Sequence, residues 1–251
     1  MGRLDQTVSV VTGGGTGIGR HIALAQAAEG AKVAVIGRRA SLLAETVFEI
    51  TEASGKAKAF PADLTQPDSA AAAFSEIADN LGGIDTLFNN AGAVLPEMIA
   101  RGSGRVVNMI GGGTAAPLPV GSGYSVSKTA VMRLTECLAA TLEGTGIVCL
   151  AMAPGLVRTD MTEYQISSEA GQRYMPGLAK RFQNGDNLPP TRAAELAVAI
   201  AAGQFDRLTG RAVSATEDID AITAAIPDII ELDMRTLRLS GFGPTMKPVP
   251  N

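Results

Sequence analysis

Short runs of β-branched and other apolar residues alternate along this chain with segments long enough to form helices. Seven such runs occur, at residues 8–12, 32–36, 56–60, 86–90, 105–110, 147–152 and 211–215. Their nearly continuous apolar character is typical of strands buried on both faces, as in parallel sheets. Parallel strands joined by right-handed crossovers form a doubly wound sheet, whose ligand crevice lies at the carboxyl ends of the strands. The alternation therefore predicts an α/β fold with a doubly wound parallel sheet.

The segments between the runs carry apolar residues at helical spacing. After Ser41, which we expect to be an N-cap, Leu43, Val47 and Ile50 recur at this spacing, and residues 74–81 repeat the pattern. A chain of 251 residues with 46% hydrophobic content and no low-complexity tract can bury one full core. We therefore predict a single domain over residues 1–251.

Charge and cysteine content narrow the classes of partner. A net charge of −4 with both signs interspersed offers no basic face for nucleic acid or anionic lipid, so small-molecule ligands are expected. The N-terminus lacks the pattern of a secretion signal, and no apolar run approaches the roughly 20 residues that span a bilayer. Cys137 and Cys149 lie in apolar patterns, which predicts buried thiols rather than a disulfide or a metal site. A cytoplasmic location is expected.

A glycine-rich turn follows the first apolar run and precedes a helical pattern. The turn residues that we expect to bind a cofactor are Gly13, Gly15, Thr16, Gly17, Ile18 and Gly19. Glycines let the backbone approach a pyrophosphate, whose charge lies against the free N–H groups of the following helix. An ordinary flexible turn would not require both a strand before it and a helix after it. The arrangement therefore predicts a Rossmann-like dinucleotide site.

The residues after the second run indicate which dinucleotide is bound. A carboxylate about 20 residues beyond the turn would accept the ribose 2′-hydroxyl of NAD, whereas an arginine would favour the 2′-phosphate of NADP. Here Gly37 is followed by Arg38 and Arg39. NADP(H) is therefore the expected cofactor, although solvated arginines at a strand end are the alternative.

Four motifs in order resemble those of the short-chain dehydrogenase/reductase family. They are residues 12–19, Asn89-Asn90-Ala91-Gly92, Tyr124-x-x-Ser127-Lys128 and Pro154-Gly155 to Thr159. The resemblance covers residues 5 to about 215. It implies that Asp63 and Leu64 contact the adenine of the cofactor. It implies that Asn90, Ala91 and Gly92 lie near the ribose. The nicotinamide would be contacted by Pro154, Gly155, Val157 and Thr159. Each could instead serve turn chemistry at a strand end.

The resemblance also implies hydride transfer between a nicotinamide and a carbonyl carbon, with Tyr124 exchanging the proton on oxygen. A free tyrosine titrates near pKa 10, which is too high for easy proton exchange at neutral pH. Residues four apart share a helix face, so we expect Lys128 to stand beside Tyr124, lower its pKa and bind the ribose. No catalytic metal is expected.

Two departures from the family pattern bear on catalysis. The family has a hydrogen-bonding serine thirteen residues before the tyrosine, where this chain has Gly111, and losing one such donor costs roughly 2.7–4 kcal/mol. Thr114 or Ser122 could substitute only in a rearranged loop. Between Gly92 and Arg105 lie only twelve residues, where the family has a long helix with a catalytic asparagine. Only residues 96–100 look helical there, so thin coverage of one sheet face is expected.

The remaining segments carry weaker signals. Residues 160–190 occupy the place of the family's substrate-covering segment. In it, Met161, Tyr164, Tyr174 and Met175 either line an apolar pocket or pack the segment onto the body. Residues 216–251 form a C-terminal extension in which Ile and Leu spacing predicts a helix. His21, the only histidine, is expected at the surface. The missing long helix normally contributes to a subunit interface, so homo-oligomer formation stays open.

Three functions remain open from the sequence. The first is an NADP(H)-dependent carbonyl reductase or alcohol dehydrogenase acting on a small molecule. The second is an NADP(H)-binding protein with little or no turnover, which Gly111 and the absent asparagine favour. The third is a poorly folded product of a deletion in the short crossover. Loss of activity in Tyr124→Phe separates the first from the second.

Overall fold

The computed structural model describes residues 2–88, 95–118 and 121–238. Its strands are β1 (Val8–Thr12), β2 (Lys32–Gly37), β3 (Lys56–Pro61), β4 (Thr86–Phe88), β5 (Gly104–Met109), β6 (Ile147–Ala153) and β7 (Ala212–Ser214). The helices are α1 (Gly17–Ala28), α2 (Ala40–Glu52), α3 (Pro67–Leu81), α4 (Leu95–Arg101), α5 (Ser122–Thr141), α6 (Asp160–Ser167), α7 (Glu169–Tyr174), α8 (Leu178–Gln183), α9 (Pro190–Ala201), α10 (Ile219–Ala224) and α11 (Ile226–Glu231). Within the described residues, each predicted strand is present.

The strands form one parallel sheet in the order β3-β2-β1-β4-β5-β6-β7. The order reverses at β1, which pairs with β2 on one side and with β4 on the other. Ligands of open α/β sheets bind at such a reversal, outside the carboxyl ends of the strands. The predicted doubly wound α/β fold is confirmed.

Helices cover the sheet on both faces because each has one apolar side. On one face, buried residues of α1, α2, α9, α10 and α11 pack with those of β1, β2 and β6. On the other, α3, α4 and the end of α5 pack against β1, β2, β4 and β5. In the part of the chain that the structure describes, no helix is long and apolar enough to cross a membrane.

Two local expectations were wrong. Helix α2 begins at Ala40 with Arg39 as its extended N-cap residue, so Ser41 lies inside the first turn. Cys137 is exposed because it faces outward from α5, whereas Cys149 in β6 is buried as predicted. Burial raises the pKa of the Cys149 thiol to about 11.

The short crossover between β4 and β5 contains the two-turn helix α4, in the predicted place. Its Met98 is fully buried and packs against Gly104, where a Cβ atom would come within 2.6 Å of the Met98 sulfur. The Arg101 guanidinium donates to the Ile84 carbonyl and pairs with Asp85 at 3.4 Å. On α5, the apolar side chains of Val126 and Leu134 are exposed.

The C-terminal extension packs on the body as two short helices rather than one. Pro227 in the first turn of α11 has no N–H to continue α10, so the helix divides at Ala225. Beyond α11, the Arg235 carbonyl accepts from the Ala212 backbone N–H and thereby pairs with the outer edge of β7. The Arg235 guanidinium holds this segment in place through an ion pair with Glu217.

Candidate active site

The predicted site residues in the described ranges lie at one edge of the sheet, on loops and at the starts of α1 and α5. Residues 13–19 follow β1, residues 38–39 follow β2, and residues 62–64 follow β3. Residues 110–114 follow β5, and residues 154–159 follow β6. Asn90, Ala91 and Gly92 lie outside the described residues, so their role stays a prediction.

The glycine turn takes its shape from two left-handed glycines. Gly13 has φ +66° and Gly17 has φ +53°, conformations that residues with a side chain rarely adopt. The Gly13 N–H donates to the Ile36 carbonyl at 2.7 Å, which fixes the turn to the end of β2. The chain therefore reverses directly from β1 into α1.

The start of α1 fits a bound diphosphate. A Cβ atom at Gly19 would lie 2.5 Å from the Gly13 carbonyl oxygen, so only glycine allows this close approach of the turn to the helix. Thr16 is the N-cap residue, and its side chain makes no capping hydrogen bond. The N–H groups of the first helical turn have no partner within the helix and attract an anion together with the helix dipole. Gly13 to Gly19 thus form a cradle suited to a dinucleotide pyrophosphate.

The loop after β6 closes on the same turn. A Cβ atom at Gly17 would lie 3.5 Å from Thr159 Cγ2, so these two predicted residues are neighbours. Thr159 caps α6, and its Oγ1 accepts from the Thr162 N–H at 3.3 Å. Val157 is buried and pairs with Leu188 in an isolated bridge. Residues 154–159 are therefore held in place beside the glycine turn.

Both arginines after β2 are exposed, and neither forms an ion pair with a described residue. Asp63 accepts from the Thr65 N–H at 3.0 Å and from the Thr65 hydroxyl at 2.8 Å. These hydrogen bonds, with a smaller contribution from the charge of Arg38, lower the pKa of Asp63. One carboxylate oxygen of Asp63 thus serves the local turn, which leaves the second oxygen for a ligand.

Tyr124 and Lys128 lie in the first two turns of α5. The Lys128 ammonium lies 5.8 Å from the centroid of the Tyr124 ring and donates to the Met109 carbonyl at 3.0 Å. Burial raises the pKa of Tyr124 and lowers that of Lys128. The predicted lowering of the tyrosine pKa by Lys128 is therefore not observed in this structure, where burial of the phenol raises that pKa.

The candidate substitutes for the missing serine are placed differently. The Thr114 hydroxyl donates to the Gly111 carbonyl at 2.7 Å, so it reaches a substrate only by giving up that hydrogen bond. Ser122 is exposed at the start of α5. Thr114 therefore stabilises the loop in this structure.

Several residues that the sequence did not single out hold α5 against β5. The Asn108 amide donates to the Thr135 hydroxyl at 3.0 Å, and both side chains are buried. The Thr129 hydroxyl donates to the Thr114 carbonyl at 3.2 Å. The sequence shows polar residues at inward-facing positions of a strand and of a helix, which are expected to be hydrogen-bonded. It does not show which of them pair, because the pairing depends on the fold.

The segment over the site consists of α6, α7 and α8. Met161, Tyr164 and Tyr174 are exposed and Met175 is partly buried, so the alternative of packing this segment onto the body is wrong for the first three. Leu178 and Phe182 of α8 are buried. His21 is partly buried on α1, and its Nδ1 atom lies 2.8 Å from the Gly17 carbonyl oxygen.

Comparison with known proteins places the chain in a family. It matches the model for short chain dehydrogenase over residues 7–94 and 92–170. A short chain dehydrogenase of Pseudocercospora fijiensis is 30% identical over 260 residues, which cover 88% of this chain and 84% of the relative.

Two solved structures share the fold at similar identity. A gluconate 5-dehydrogenase from Burkholderia cenocepacia in complex with NADP and tartrate has a TM-score of 0.74 at 25% identity, covering 84% of this chain and 94% of that one. A 7α-hydroxysteroid dehydrogenase complexed with NADH and 7-oxo glycochenodeoxycholic acid has a TM-score of 0.75 at 26% identity, covering 84% and 93%. The chain belongs to the short-chain dehydrogenase/reductase family.

Proposed function

We propose that this chain is an NADP(H)-dependent oxidoreductase that interconverts a carbonyl and an alcohol. The observation that carries the proposal is the placement of Tyr124 and Lys128 at the same sheet edge as the glycine turn. A bound nicotinamide would supply or accept the hydride at the carbonyl carbon. In reduction the Tyr124 hydroxyl donates its proton to the substrate oxygen, and in oxidation the phenolate takes it back. The Lys128 ammonium lies beside the Tyr124 ring and is positioned by the Met109 carbonyl.

The remaining predicted residues would hold the cofactor. Residues 13–19 would bind the pyrophosphate, and residues 154–159 would lie against the nicotinamide. Asp63 and Leu64 would contact the adenine. These assignments rest on the shared sheet edge and on the cradle at Gly19.

The preference for NADP(H) rests on Arg38 and Arg39, which are exposed at the end of β2 and form no ion pair with a described residue. The two solved relatives carry NADP in one case and NADH in the other, so the choice depends on this chain's own residues. A charge-assisted hydrogen bond contributes about 1.5–3 kcal/mol. Replacing both arginines with alanine should lower kcat/KM for NADPH at least about tenfold and leave that for NADH nearly unchanged.

A matched control for this change is Arg207→Ala, which removes an exposed arginine before the amino end of β7, at the opposite edge of the sheet. It should alter neither cofactor's kcat/KM. An equal loss for NADPH and NADH in the double variant would refute the assignment.

The second candidate is a cofactor-binding protein with little or no turnover. It is favoured by Gly111, which offers no side-chain donor, and by the hydrogen bond of the Thr114 hydroxyl to the Gly111 carbonyl. This protein would bind NADPH through the same cradle without reducing a carbonyl.

NADPH oxidation with a reactive α-dicarbonyl distinguishes the two. Tyr124→Phe should lower kcat about 10²–10⁴-fold, the usual contribution of a general acid. Tyr164→Phe removes the same hydroxyl from an exposed residue of α6 and should leave kcat unchanged. Turnover that survives in Tyr124→Phe contradicts the proposed role, and NADPH binding without turnover in the native chain supports the second candidate.

A further inference from the structure

The hydroxyl of Tyr124 fills the space that a side chain at Gly111 would need. A Cβ atom built on Gly111 would lie 2.3 Å from the Tyr124 hydroxyl oxygen and 3.3 Å from Cζ of the ring. Real Cβ atoms essentially never approach another heavy atom closer than 3.0 Å. No residue with a side chain therefore fits at position 111 while the tyrosine keeps this position.

Space, and not backbone conformation, limits a side chain at position 111. Gly111 does not have a left-handed φ, so its backbone conformation is open to residues with a side chain. Its neighbours differ, since Gly113 has φ +87° and a Cβ atom at Gly112 would meet nothing within 4 Å. Of these three consecutive glycines, only Gly111 is limited by the acid/base tyrosine.

The backbone of α5 is held too firmly to yield by moving as a whole. Lys128 donates to the Met109 carbonyl at 3.0 Å, and Thr129 donates to the Thr114 carbonyl at 3.2 Å. Thr135 of the same helix accepts from Asn108 in a buried hydrogen bond. The ring of Tyr124 is free to rotate toward solvent, because the residue is 44% exposed. A side chain at position 111 would therefore displace the phenol rather than the helix.

We propose that Gly111 is a positioning residue that lets the Tyr124 hydroxyl lie directly against the end of β5. The catalytic consequence rests on the proposed function, whereas the placement itself does not. A serine introduced at position 111 would not restore a missing donor. It would push the proton donor away from the strand end.

The first test probes the position of the Tyr124 hydroxyl and does not depend on catalytic turnover. The chain has three tyrosines and no tryptophan, so the tyrosinate absorbance of Tyr124 can be isolated by difference against Tyr124→Phe. Burial raises the pKa of Tyr124, and Lys128 is the charged group that faces its ring. Gly111→Ala should shift this titration down toward the ordinary value near 10. Gly112→Ser, the matched control, should leave it unchanged.

The second test is a double-mutant cycle on thermal unfolding. Gly111→Ala should lower Tm in the native background and have a much smaller effect with Tyr124→Phe, because the clashing oxygen is then absent. A Gly111→Ser variant that folds only in the Tyr124→Phe background would also show that the Tyr124 hydroxyl occupies the space beside position 111. An unchanged titration together with equal Tm effects in both backgrounds would overturn the proposal.

The third test concerns catalysis. If the native chain turns over, Gly111→Ser should lower kcat roughly 10²-fold, the size expected for misplacing a catalytic group by about 1 Å, with KM for NADPH unchanged. A rise in kcat would overturn the proposal, because it would show that a serine adds a donor without displacing Tyr124. If the native chain is silent, the proposed function fails, and the titration and the cycle still decide the placement.

Discussion

The buried hydrogen bond between Asn108 and Thr135 offers a quantitative test of how α5 is held against the sheet. Thr135 is fully buried, its Oγ1 atom accepts from the Asn108 amide at 3.0 Å, and the same hydroxyl donates to the Val131 carbonyl at 2.8 Å. Thr135→Val keeps the shape of the side chain and removes its only polar atom. The buried amide of Asn108 then loses this acceptor.

Leaving a buried donor unsatisfied costs about 1–3 kcal/mol. For a domain of roughly 150–250 residues, each kcal/mol lowers Tm by about 2–4 °C, so Thr135→Val should lower Tm by roughly 2–12 °C. Differential scanning calorimetry measures this change. Thr51→Val is the matched control, because Thr51 makes the same helical bond to the Val47 carbonyl at an exposed position and should change stability by less than about 0.5 kcal/mol.

A double variant tests the cause. Replacing both partners of a buried hydrogen bond by apolar groups of similar shape is often nearly neutral, so adding Asn108→Leu to Thr135→Val should recover most of the lost stability. A Tm of Thr135→Val equal to that of Thr51→Val, or additive losses in the double variant, would refute the role assigned to this pair.

Two further predictions follow from burial. Because burial raises the pKa of Tyr124, its hydroxyl stays protonated at neutral pH, so carbonyl reduction should lose rate from this group only above about pH 10 in a kcat profile; a loss between pH 7 and 9 that disappears in Tyr124→Phe would contradict this. A thiol reagent at neutral pH should modify Cys137 in the native chain and reach Cys149 only after unfolding, as peptide mapping would show; equal labelling would contradict the burial of Cys149.

Much of the sheet was predictable because its strands are buried on both faces. The runs that became β1, β2 and β6 are nearly continuous in apolar residues, as is typical of strands buried on both faces of a parallel sheet. The glycine turn was equally predictable, because Gly13 and Gly17 adopt left-handed conformations and Gly19 permits a close backbone approach. These features depend on local chemistry, which a sequence displays directly.

The predictions that failed concern properties that depend on the tertiary environment. The pKa of Tyr124 is raised because the phenol is buried against the end of β5, and its spacing from Lys128 does not reveal that burial. Gly111 was understood as a lost donor, although its position is limited by a side chain thirteen residues away. Cys137 shares an apolar pattern with its neighbours and is still exposed, because which face of α5 is covered depends on the fold.

The central claim is that Tyr124 donates the proton in an NADPH-dependent carbonyl reduction. A single-turnover experiment tests it most directly, by mixing the preformed complex of the chain and NADPH with an α-dicarbonyl and following nicotinamide absorbance. The native chain should consume its bound NADPH, and Tyr124→Phe should bind NADPH equally well but consume it about 10²–10⁴-fold more slowly. Equal rates in the two proteins, or NADPH bound by the native chain and never consumed, would contradict the claim.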